Sequence, residues 1–506
     1  MSITKKQKLI NNYKGYSIKE GDEITVLQDI PSAKVFWNEY IKIRKPIKFT
    51  KQDTLELSNF TAKNIKDFLQ YDLDLQVERK HNYGFGGGHT REKLLMERIL
   101  KEFEKGDRSY YLTTQYDFDD PDFDSENEGE SKEEEGSNDE DGGFGTVFSD
   151  TSSMASLDMN DLHDDFDDEE AKEEAVDNEH ADSDNSGFSS ETDSEMTEEE
   201  LRYRLKELLQ PPLTNLYGKI PILPEVFKTL VPQQVNLWMG ATDPIVDLKE
   251  ELPALDETKK NLGLGRYIPS GGTSSGLHHD HADNLYILAQ GRKRFTLISP
   301  LDAEKLHTVG TIFQIFENGI IDYDEDEHAP DWSHVRDDGA LVTDVIQWKL
   351  ETDDTLSSET RKTLEQSLEA SKVARKSKTV VKGLKLDPPS FSTIPPCLLH
   401  LDEILNEEYK QRLTRFAEKY FPEVLKINKM VVELKPGEAL YLPCGWFHEV
   451  SSFGTSGANA PLENVHIAIN YWMVPPNNLE DMNNCYKDGY YVEDWGRTKA
   501  GFESLI

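Results

Sequence analysis

The stretch Gly271–Pro300, GGTSSGLHHDHADNLYILAQGRKRFTLISP, crowds histidines and acids just ahead of a strand-like run. Two pairings read as a His-x-Asp metal corner, His278 with Asp280 and His281 with Asp283. In an extended chain residues i and i+2 point the same way, so His278 and Asp280 can ligate together while His279 faces away. A further imidazole stands far downstream at His448, in GEALYLPCGWFHEV. Two neutral imidazoles and one carboxylate on one side of a metal leave the other side open. That set suits Fe(II), which needs free positions for a chelating co-substrate and for dioxygen. The carboxylate also favours a hard divalent ion over Cu(I).

Such ligands need rigid strands to hold them. VNLWMG, NLYILAQ, KRFTLISP, KMVVEL, EALYLP, FHEVSS and NVHIAINYWMVP are apolar or alternating, and Gly or Pro turns separate several of them. This is the pattern of an antiparallel double sheet closed into a jelly roll, whose mouth is wide enough for one metal and one small acid. SYYLTTQ at 109–115 reads as another strand. Helical spacing is expected around Phe36–Ile43, Lys63–Leu69 and Thr90–Glu104, in EEELRYRLKELL, over Ser357–Lys385 and in EEYKQRLTRFAEKYFPEVLK. The glycine loop YGFGGGH lacks the Lys-Ser/Thr ending of a phosphate-binding loop.

The chain has 506 residues and a formal charge of −40, but the acidity is local. Residues 117–200 hold 35 of the 96 acidic residues against two lysines, and the remainder carries 61 acids and 54 bases. The block is too poor in apolar residues to offset the entropy of ordering, so it reads as a disordered insertion. Its Ser-Asp/Glu clusters offer a place for basic proteins such as histones. Three scattered cysteines, Cys397, Cys444 and Cys485, make neither a disulfide framework nor a zinc site and fit a reducing compartment. The N-terminal residues have no apolar secretion signal and no stretch is apolar enough to span a membrane. An intracellular location, cytoplasmic or nuclear, is expected, with no membrane and no direct nucleic-acid partner.

HHDHADNLYILAQGRKRFTLISP, GEALYLPCGWFHEV and IAINYW, in that order, resemble the JmjC family of Fe(II)- and 2-oxoglutarate-dependent oxygenases, in its cupin-like protein-hydroxylase form. The resemblance implies a double-stranded β-helix with flanking helices. It divides the chain into an N-terminal part of the catalytic unit (1–116), the acidic insertion (117–200), a first barrel half (201–302), a charged insertion (303–395), a second barrel half (396–475) and a C-terminal tail (476–506). It selects His278, Asp280 and His448 as metal ligands and catalytic centre, over the His281/Asp283 pairing. It implies that Lys293 and Tyr111 take the far carboxylate of 2-oxoglutarate, with Ser275, Asn284 and Asn470 beside it. The implied cofactors are Fe(II), 2-oxoglutarate and O2. The implied activity is oxygenation of a protein substrate: side-chain hydroxylation first, since no chromatin-reading module is present, and lysine or arginine demethylation second. A non-catalytic barrel whose acidic block holds basic partners, and a metal-dependent isomerase, are the competing classes. The chain departs from the family in the long stretch between Asp280 and His448, which requires the 303–395 insertion to loop out of the barrel.

Overall fold

In the computed structural model the described residues are 9–505, except 70–71, 86–90, 116–195, 244–251, 257, 260, 331, 377–386 and 456–459. Nearly all of the acidic block, the glycine-rich part of the 83–89 loop and the basic end of the second insertion therefore lie outside them.

The strands are β1 (Ile10–Asn11), β2 (Thr25–Leu27), β3 (Ile47–Phe49), β4 (Asp74–Arg79), β5 (Arg91–Leu95), β6 (Tyr110–Leu112), β7 (Pro232–Ala241), β8 (Thr273–His278), β9 (Asp283–Gln290), β10 (Arg292–Ile298), β11 (Ile312–Ile315), β12 (Ile321–Tyr323), β13 (Met430–Leu434), β14 (Ala439–Leu442), β15 (Phe447–Phe453) and β16 (Val465–Met473). The α-helices are α1 (Ala33–Phe36), α2 (Ile65–Phe68), α3 (Met96–Glu104), α4 (Glu198–Leu208), α5 (Val342–Thr352), α6 (Ser358–Lys376), α7 (Glu407–Tyr420) and α8 (Tyr490–Phe502).

A large sheet runs β2-β3-β14-β9-β16-β7-β6-β4-β5 and a small one β13-β10-β15-β8. Their inner faces share one core, with Tyr286, Leu288 and Leu440 of the large sheet against Phe295, Val432 and Val450 of the small one. This is the double-stranded β-helix of the cupin-like fold. Strand period 2 sorts the side chains cleanly. Along β16, Val465, Ile467, Ile469 and Tyr471 face the helix-covered core outside, while His466, Ala468, Asn470 and Trp472 face the barrel interior.

Three local readings are corrected. Thr90–Glu104 is not one helix: Arg91–Leu95 pairs antiparallel with β4, and the helix begins only at Met96. Strand pairing overrides the helical spacing of Leu94 and Leu95. The Phe36–Ile43 helix is α1 continued as a π-helical turn over Trp37–Ile41. The C-terminal segment is not merely a tail, because α8 docks on α4 through Arg204, which donates to Asp494 at 2.8 Å and to Thr498 at 2.7 Å. Among the described residues no helix is long and apolar enough to cross a membrane.

Candidate metal centre and co-substrate pocket

His278 ends β8 and pairs directly with His448 on β15. β8 reaches this register through a bulge: Leu277 opposes Glu449 and Ser274 opposes Ser451, leaving Ser275 and Gly276 against Val450 alone. The extra residue lets Ser275 and His278, three apart, both face the interior. Gly276 sits there at φ +78°, a conformation costly for a residue with a Cβ. Asp280 is not a strand residue. It lies in the turn from β8 to β9, where its carbonyl accepts from Gly445 N–H at 2.8 Å.

Ligand atoms of His278, Asp280 and His448 all lie within 4.8 Å of one another. Asp280 presents Oδ1 at 3.9 Å from His278 Nε2 and Oδ2 at 3.6 Å from His448 Nε2. The Nδ1 atoms are occupied elsewhere, facing the carbonyls of Gly276 at 3.0 Å and Trp446 at 2.9 Å. With Nδ1–H donated to those carbonyls, both Nε2 lone pairs are left for a metal. Burial, aided by His448, pushes His278 well below the usual histidine range, so it is neutral, as a ligand must be. Phe391 stacks on the His278 ring at 4.8 Å.

The competing pairing is absorbed by structure. His279 Nε2 meets the Tyr323 hydroxyl at 2.5 Å and His281 Nε2 meets the Ile321 carbonyl at 2.9 Å. Asp283 is fully buried, clamped by the Arg44 guanidinium and by the Tyr441 hydroxyl at 2.8 Å.

Seven of the eight sequence-selected side chains line one cavity of about 130 Å³: Tyr111, Ser275, Asn284, Asn470 and the three candidate ligands. Lys293 stands one layer deeper and donates to Tyr111 Oη at 3.2 Å and Ser452 Oγ at 2.7 Å. Its burial, with Lys80 nearby, lowers its pKa to about 7. Asn284 Nδ2 reaches Asp280 Oδ2 at 3.4 Å, while its Oδ1 is buried with no partner. Asn470 Oδ1 accepts from Trp238 Nε1 at 2.8 Å. The Ser275 hydroxyl is committed to the bulge, donating to the Gly276 carbonyl at 2.8 Å and accepting from Val450 N–H at 3.0 Å. Two imidazole nitrogens and one carboxylate fit a hard divalent ion, and the orphaned Asn284 oxygen is an acceptor left for a donor that the cavity takes up.

Sequence reasoning missed several contributors. Phe391, Pro388 and Ser390, from the end of the second insertion, line the cavity. That insertion therefore does not simply loop out: Ser392 N–H bonds the Leu277 carbonyl at 2.8 Å, laying the segment along β8. Aperiodic and proline-rich, it gives no strand signal. Phe85 stacks on Tyr111 at 4.0 Å. On the outer face of β15, buried Glu449 binds Ser274 at 2.6 Å and His400 at 3.0 Å. Despite its burial, the His400 contact and these hydrogen bonds hold its carboxyl below the ordinary range.

Comparison with known proteins agrees with this geometry. Residues 36–478 match the family described as a cupin-like domain. A relative, JmjC domain-containing protein 4 of Schizosaccharomyces pombe, is 26% identical over an alignment 540 residues long, spanning 95% of this chain and 90% of its own. With barrel, ligand trio and family match in agreement, the chain belongs to the JmjC-type cupin-like family.

Proposed function

We propose that the protein is an Fe(II)- and 2-oxoglutarate-dependent oxygenase acting on a polypeptide, most simply by hydroxylating a side chain. The observation that carries this reading is the convergence of His278, Asp280 and His448 with the buried Lys293–Tyr111 pair at one cavity. Iron, 2-oxoglutarate and dioxygen together supply the oxidising power for C–H bond attack and release succinate and carbon dioxide. The protein's own groups hold and orient. His278, Asp280 and His448 would grip the ion on one side, leaving the other open. Lys293 would meet the far carboxylate of 2-oxoglutarate as a compact cation, with the Tyr111 hydroxyl donating beside it. Asn284 supplies an unpaired oxygen next to Asp280. Phe391, Trp238 and Trp472 wall the cavity with apolar ring surface.

Demethylation of an N-methyl group uses the same residues, and the product distinguishes the two. Succinate release and substrate mass are measured with Fe(II), 2-oxoglutarate and a peptide pool. Hydroxylation adds one oxygen to a peptide, while demethylation removes one methyl. No succinate with any peptide, together with no bound iron, overturns the proposal.

A further inference from the structure

Beside the metal cavity, and sharing Phe391 with it as a common wall, runs a second and larger groove of about 1250 Å³. One side is α7, whose Arg412, Arg415 and Lys419 are spaced to lie on one helix face. The other side brings Lys259 and Arg266. Against these five cations the described lining residues include one carboxylate, Asp387, already paired with Arg266 at 3.2 Å. Arg415 is exposed and has no hydrogen-bond or ion-pair partner among the described residues. Lys419 lies over the Tyr420 ring at 4.6 Å, and Lys259 reaches Asp256 only at 4.0 Å. Tyr420 leaves 50% of its surface open in the groove, and the floor beside it is apolar, with Phe416 and Phe421. Arginine and tyrosine around an apolar floor is the composition of a protein-recognition surface.

We propose that this groove receives an acidic stretch of the polypeptide whose modified side chain enters the metal cavity past Phe391. The substrate class is thus a protein with carboxylates flanking the target residue, and this rests on the oxygenase reading. The spacing supports it. Cations four apart on a helix are separated by about 6 Å, close to the ~6.7 Å between alternate side chains of an extended peptide. An extended acidic segment can therefore meet Arg415 and Lys419 in register. The flexible, hydrated ammonium and fork-shaped guanidinium suit carboxylates on a solvated rim, where they set specificity and association rate.

The test uses the full chain without iron and a short fluorescein-labelled Glu/Ser peptide, with a Lys/Ser peptide of equal length as control. The expected result is saturable binding of the acidic peptide only. Arg415→Glu/Lys419→Glu weakens it by about tenfold or more, and carbodiimide couples the peptide to Lys419 or Lys259. Both substituted residues are exposed, and circular dichroism checks the fold of the double variant. His278→Ala leaves binding intact, so loss of turnover and loss of binding are separable results. Equal binding by wild type and double variant overturns the proposal, as does absence of binding to the wild type. So does coupling of Lys419 to the chain's own 117–195 block instead of the peptide, or displacement of the peptide by an oligothymidylate at matched salt.

Discussion

At the residue scale, Lys293 is the side chain whose chemistry is most exposed to test. Buried and short of a carboxylate, it has its pKa lowered to about 7, so much of it is neutral at physiological pH. Binding of a dicarboxylate needs the ammonium. Below about 7 the charge is already present, and above it each binding event must take up a proton. The affinity of 2-oxoglutarate is therefore expected to fall by up to about tenfold per pH unit above pH 7. Calorimetry in buffers of different ionisation enthalpy checks this by showing proton uptake, and a flat affinity profile contradicts it. Tyr111→Phe removes one hydroxyl from the pair and should weaken 2-oxoglutarate binding about three- to tenfold. Types and spacing left two His-x-Asp pairings open, and only the resemblance to the JmjC family singled out His278, Asp280, His448 and Asn284, which three different strands and a turn bring together. Phe391 was not legible, because nothing in PPSFSTIPP shows periodicity.

At the element scale, the bulge in β8 and the turn after it decide where His278 and Asp280 point. Gly276→Ala places a Cβ at φ +78° and 3.1 Å from Arg266 Nε. The substitution should cost about 1–3 kcal/mol, shift His278, and weaken iron binding by more than it lowers the unfolding midpoint. Denaturation and metal titration on the same sample check the two effects. Arg44 and Asp283 fix the other end of the turn from inside the core, both at 0% side-chain exposure. Arg44→Met leaves a buried carboxylate without its main partner and should destabilise by about 3–5 kcal/mol in urea. Sequence periodicity exposed most of the barrel strands, since β9, β14 and β16 alternate between two apolar faces. It could not reveal the bulge, because TSSGLH looks the same with or without an extra residue. It misread Arg91–Leu95, because the pairing with β4 is a tertiary choice that local spacing does not contain.

At the scale of the whole molecule, two insertions interrupt one barrel and behave differently. The second is partly built into the site: β12 supplies Tyr323 to His279, and Pro388, Ser390 and Phe391 wall the cavity. The first leaves the described fold after Gln115, whose N–H bonds Gln210 at 2.8 Å, and rejoins it at Met196, ahead of α4. Both of its ends are thus anchored on the barrel's helical flank. Replacing residues 118–194 with a short Gly/Ser linker should leave iron binding unchanged and move the unfolding midpoint by no more than about 2–4 °C. Loss of iron binding on that replacement would place the acidic block inside the catalytic unit. If the protein were only a holder of basic partners, histone binding would vanish with the block and the His278→Ala variant would be indistinguishable from wild type in every assay.

The most direct test is calorimetric titration of 2-oxoglutarate into the anaerobic protein, with and without one equivalent of Fe(II). The expected result is one tight site that needs the metal, is lost in Asp280→Ala and is strongly weakened in Lys293→Met. Metal-independent binding, or binding that survives Asp280→Ala unchanged, would contradict it.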